Sequence, residues 1–121
     1  LKQVWFAGVH SDVGGSYAPD ADGSCLADIP LLWMLGEAQA TGLTLEPYVR
    51  DVPLNPLASQ HNEYRGGYLA LGKEQRVIPD PNKIPTSVHH SVKQRYEGMR
   101  YKSKTIGNYI KKYGTWPPVE E

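Results

Sequence analysis

The chain has one cysteine, Cys25, and one phenylalanine among its 121 residues. A single cysteine excludes an internal disulfide framework, and with it the small secreted domains held together by bridges. Long apolar runs are missing too. The longest, Leu31 to Leu35, is far short of the roughly 20 residues that span a bilayer as a helix. No stretch has the charged-then-apolar pattern of a secretory leader. Net charge is absent: thirteen Lys and Arg face thirteen Asp and Glu. Nothing in that balance points to nucleic acid. Also lacking is the Gly-x-Ser-x-Gly turn that presents a nucleophilic serine; Gly14-Gly15-Ser16-Tyr17-Ala18 holds only its first half. There are no internal repeats and no low-complexity segment.

What is present is ordinary for a globular chain: 40% hydrophobic and 21% charged. The length suits one small domain or a piece of a larger one. The first residue is not Met, and the chain opens at the edge of a strand, so it is expected to be the C-terminal part of a larger protein. Charge is uneven along it. Residues 1–40 hold Asp12, Asp20, Asp22, Asp28 and Glu37 against Lys2. Residues 93–112 hold seven bases against Glu97, with Tyr96, Tyr101 and Tyr109 interleaved. Such a segment can meet anionic lipid headgroups at a membrane surface. A solvated face balanced by acids elsewhere is the commoner origin of such a run.

Val4-Trp5-Phe6-Ala7 is apolar and β-favouring, the pattern of a strand covered on both faces of a mostly parallel sheet. Gly8 and Gly14-Gly15 end it. Residues 18–27 read as a loop, with Pro19, Asp20, Asp22 and Gly23 as turn formers. A helix follows. Asp28 is placed to cap it, and Pro30 is tolerated in its first turn. Leu31, Met34, Leu35 and Ala38 fall on one face, widened by Ile29 and Leu32, and Gly42 stops it. Strand, loop and helix make an α/β unit. Beyond Gly42, prolines cut the chain into short pieces. A short strand is expected at Arg76-Val77-Ile78 and a short helix from Ser87 to Tyr96, capped by Ser87. The end, with Pro117-Pro118, is expected to fray.

Sites in open α/β sheets form beyond the carboxyl ends of the strands. His10 stands just there. A histidine can take a proton from a nucleophile and return it to a leaving group near neutral pH. Asp12 is expected to accept backbone N–H groups of the Gly14-Gly15 turn and fix the loop. A metal alternative uses His10-x-Asp12 with Asp20-x-Asp22-Gly23 as hard ligands. That pattern lacks the rest of a calcium loop, and turn chemistry explains it equally well. Ser11 faces elsewhere in an extended loop, and Cys25 reads as a small buried thiol.

Gln3-Val-Trp-Phe-Ala-Gly-Val-His-Ser-Asp-Val-Gly-Gly-Ser-Tyr17, followed by Leu26-Ala-Asp-Ile-Pro-Leu-Leu-Trp-Met-Leu35, resembles the signature of one α/β-hydrolase family. It is the family of the type VI secretion phospholipase effectors of the first class and their uncharacterised bacterial and fungal relatives. His61-Asn-Glu-Tyr64, Arg76-Val-Ile-Pro79 and Val88-His-His-Ser-Val92 are similar to later segments of that family. Tyr101-Lys-Ser-Lys104 departs from its Tyr-x-Pro-x-Asn region. Ser16 stands where relatives commonly have a third glycine.

The resemblance implies an α/β fold. Residues 1–104 would be the C-terminal part of a hydrolase-like catalytic domain: last core strand, loop and helix, then irregular and short-helix segments. Residues 105–121 would be an extension. It also implies hydrolysis of carboxylic esters, with glycerophospholipids as substrate, by a triad in the order Ser, Asp, His. His10 takes the histidine's place, and the serine and aspartate are expected upstream of this chain. His10 would activate the serine, protonate the leaving alcohol and then activate water. Asp12, Gly14 and Gly15 would support its loop. His89 or His90 is the rival, although a helix start suits capping or packing. His61 is read as surface or substrate rim. No metal or cofactor is expected. The partners are a lipid or other ester, the rest of the parent hydrolase, and peripherally a membrane. Synthesis would be cytoplasmic, with delivery to a target cell if the protein is an effector. Two other classes stay open: an inactive interaction module of the same fold, and a metal-dependent hydrolase using His10 and Asp12.

Overall fold

The computed structural model describes residues 2–72 and 74–121. The chain divides into two compact units, one of Leu1–Phe6 with Asn62–Glu121 and one of Ala7–His61.

The first unit is built on a three-stranded sheet: β1 (Val4–Trp5), β2 (Ser87–His89) and β3 (Val119–Glu120), in that order. Both pairings are parallel, with Val4 opposite Ser87 and Val88 opposite Val119. The parallel sheet agrees with the apolar run at Val4, which pairs only over Val4–Trp5. That run is not the last strand, since β2 and β3 follow it in the chain. Parallel strands need long crossovers. Two helices, α3 (His90–Gly98) and α4 (Lys104–Tyr113), provide the one between β2 and β3. Val88, 1% exposed, sits at the centre of the sheet, and Ile78, Val92, Ile106 and Tyr109 complete the core.

Three local expectations are corrected in this unit. Ser87 does not cap a helix. Its N–H donates to the Gln3 carbonyl at 3.1 Å, and that of Val88 to Pro118 at 2.8 Å. Pairing on both sides therefore holds Ser87–His89 extended, and the cap passes to His89, whose ring accepts from the Ser91 N–H. Arg76-Val77-Ile78 is not a strand; Ile78 alone of the three is buried. The end of the chain does not fray, because Pro117 is fully buried and Val119–Glu120 forms β3. Helix α4 went unforeseen, although its signals are present. Ser103 accepts from the Ile106 N–H at the start, and Gly114 adopts φ 71° at the end.

The second unit contains α1 (His10–Gly14) and α2 (Asp28–Ala40), with a 3-10 turn at Pro47–Arg50. Its buried apolar residues are Leu26, Ala27, Ile29 and Ala58. Asp28 begins α2 and accepts the Cys25 N–H at 3.1 Å. The face expected to point inward does not: Leu31 is 48% and Met34 58% exposed, while Ile29 is buried. Residues 29–35 are apolar on every side apart from Pro30, so periodicity could not select the buried face.

Candidate functional site

The loop expected after β1 is instead one helical turn, and Asp12 creates it. The Asp12 carboxylate reaches back to the Val9 N–H at 3.0 Å, satisfying a donor left over at the helix start. The side chain lies directly against Gly8. A Cβ at Gly8 would come within 2.4 Å of the Asp12 Cβ, and Gly8 has φ +115°. Only glycine fits both demands.

Asp12 is 2% exposed, yet its oxygens are well supplied. Besides Val9, the backbone N–H of His61 donates to Oδ2 at 3.1 Å. The His61 ring nitrogen Nδ1 lies 2.7 Å from Oδ1. The donors thus come from Val9 and His61 rather than from the Gly14-Gly15 turn. A carboxylate only accepts, so this contact assigns the proton to Nδ1 and leaves Nε2 as the basic nitrogen. Tyr17 stacks on the imidazole, with centroids 3.5 Å apart and planes 15° off parallel. A stacked aromatic ring and a buried carboxylate fix the imidazole in position and in tautomer. His61 is itself 38% exposed at its side chain, so the ring is held but reachable. An imidazole held by a carboxylate with its second nitrogen reachable has the geometry that a general base requires.

His10 is the first residue of α1 and is exposed. It shares the turn with Asp12. His89 and His90 lie in the other unit, at the end of β2. His89 stacks on Phe6 at 4.9 Å and lies against His90 at 4.2 Å with the rings tilted by 37°, and its Nδ1 meets Ser91 Oγ at 2.9 Å. Burial lowers its pKa to about 4, with His90 adding to the effect and Glu120 opposing it. His90 keeps a buried Nδ1 with no hydrogen-bond partner.

The acidic loop is occupied by turns. Asp20 accepts the Ser59 N–H at 2.8 Å. Asp22 accepts both the N–H and the hydroxyl of Ser24, at 2.9 and 2.6 Å. Hydrogen bonds from Ser59 and Ser24 hold the two carboxyls below their ordinary pKa. Among the described residues, no three His, Cys, Asp or Glu side chains converge as metal ligands.

The pair Asp12–His61 spans 49 residues of sequence. No local pattern announces it. His61-Asn-Glu-Tyr64 stood out only through its likeness to a family segment.

Residues 1–37 match the family model described as "T6SS, Phospholipase effector Tle1-like, catalytic domain". An uncharacterized protein of the yeast Saccharomyces cerevisiae is 44% identical over 48 residues, which is 39% of this chain and 7% of that protein. The chain therefore spans a small fraction of that relative's length. No solved structure matches the chain.

Proposed function

We propose that this chain carries the acid–base half of a phospholipase-like ester hydrolase, with His61 as general base and Asp12 as the residue that positions it. The observation that carries this reading is the 2.7 Å contact between His61 Nδ1 and a carboxylate that is 2% exposed. The family match over residues 1–37, which include Asp12, supports the reaction class.

Nε2 of His61 takes the proton of a serine hydroxyl as that oxygen attacks the ester carbonyl. The imidazolium so formed is stabilised by Asp12 and returns the proton to the departing alcohol. His61 then deprotonates water to release the acyl group. The serine belongs to sequence outside residues 1–121, where a Gly-x-Ser-x-Gly turn is expected.

A second reading assigns the same proton transfers to His10, which follows a parallel strand and is exposed. Phospholipid hydrolysis by the parent protein separates the two. His61→Ala is expected to lower kcat about a thousandfold or more. Asp12→Asn is expected to lower kcat about a hundredfold or more with KM and melting temperature little changed, since the wrong tautomer and not lost binding is the defect. His10→Ala is expected to stay within severalfold. Loss of activity in His10→Ala with retention in His61→Ala would transfer the role to His10. A parent protein with no ester turnover at all would support the interaction-module class instead.

A further inference from the structure

The bases of residues 93–112 are not equivalent. Lys102 donates to the carbonyls of Tyr96 and Glu97, and its ammonium lies 5.0 Å from the centroid of the Tyr96 ring. Lys93 lies 5.7 Å from the Trp116 ring. Lys112 makes the same kind of contact, 4.9 Å from the ring of its neighbour Tyr113, so ring contact alone does not set it apart from these two.

Lys104, Lys111 and Lys112 are exposed. With exposed Asn108 they follow the i, i+4, i+7, i+8 spacing of one helix face, while Ile106 and Tyr109 occupy the buried side of α4. Residues 75–78 run beside that face. Thr105 Oγ1 donates to the Arg76 carbonyl at 3.0 Å, and Gln75 Nε2 donates to Thr105 Oγ1 at 3.2 Å. Arg76 and Lys112 line one cleft, and Val77 lines it with them. Val77 is 79% exposed. Nearby acid is sparse. Glu97 is the only acid among residues 93–112, Glu74 precedes the segment, and Asp80 acts on Tyr109.

A solvated face accounts for the cations but gives no role to the valine that lines the cleft with Arg76 and Lys112. A water-filled polyanion groove would not reward it either. A bilayer surface rewards both, because phosphates meet the cations while the apolar side chain enters the acyl boundary. We propose that the face formed by Arg76, Val77, Lys104, Lys111 and Lys112 docks on an anionic phospholipid bilayer. The choice of a lipid surface rests on the ester-hydrolase reading, but docking requires no turnover, so the two fail separately.

The test is co-sedimentation of the full chain with vesicles of phosphatidylcholine containing about 30% phosphatidylserine, at low and high salt. The chain is expected to bind these vesicles and to bind pure phosphatidylcholine at least about tenfold more weakly. Raising NaCl to about 0.5 M should weaken binding about tenfold or more by screening. Changing Arg76, Lys104, Lys111 and Lys112 together to Gln should weaken it about a hundredfold. A charge-conserving variant, with the three lysines as Arg, should retain binding, which guards against a folding artefact. Val77→Ser should weaken binding severalfold without altering the salt slope. Equal binding to neutral vesicles, or undiminished binding by the Gln variant, would overturn the proposal. So would tighter binding to duplex DNA than to the anionic vesicles.

Discussion

Gly8 and Ser16 are opposite cases of one constraint at the scale of single residues. Gly8 sits at φ +115° with the Asp12 Cβ where its own Cβ would be. Gly8→Ala is expected to cost about 3 kcal/mol or more, because the backbone and the contact both object. Denaturant midpoints would show it, and an unchanged midpoint would refute the packing described for Asp12. Ser16 has φ 147°, a region that suits glycine and strains any residue with a Cβ. Ser16→Gly is expected to stabilise by about 1 kcal/mol, measured the same way. The turn-forming role of Asp20 and Asp22 was legible in the sequence. The partner of Asp12 was not, because a contact across 49 residues leaves no local trace.

Helix α3 shows how one element's start can depend on pH. His89 caps it with a neutral ring that accepts the Ser91 N–H, and burial lowers its pKa to about 4. The unfolded chain binds this proton near pH 6.5 and the folded one does not until about pH 4. Protonation therefore favours unfolding. The contribution is fully present above about pH 6.5 and is lost as pH falls toward 4, up to about 3 kcal/mol. Urea midpoints at about pH 7.5 and pH 4.5 should differ in that direction, and His89→Gln should flatten the difference. A wild-type protein equally stable at both values would contradict the assignment. Element boundaries were only partly legible. Gly42 marked the end of α2 well, at φ +106°, whereas Asp28 is the first residue of the helix it was expected to cap and Ala27 holds the cap position. Ser87 misled, because it pairs with backbone from the start of the chain and precedes a residue paired with backbone near its end.

At the scale of the whole molecule, the sheet gathers residues 4–5, 87–89 and 119–120. Each strand is too short to be stable alone, so the unit depends on all three. Deleting residues 117–121 removes β3 and the buried Pro117. The expected outcome is loss of the cooperative transition of that unit, read by hydrogen exchange at β2 amides. Protection of β2 that survives the deletion would mean that β3 is dispensable.

The amino-acid sequence by itself determined the apolar strand at Val4, the turn chemistry around Asp20 and Asp22, the helix after Asp28 and the α/β class. These follow from backbone propensity and neighbouring hydrogen bonds, which act over a few residues. Only the tertiary structure decided which side of α2 is buried, that the last residues form a strand, and that Asp12 faces His61. Those outcomes depend on which distant groups meet, and a buried carboxylate takes whichever donors the fold brings to it.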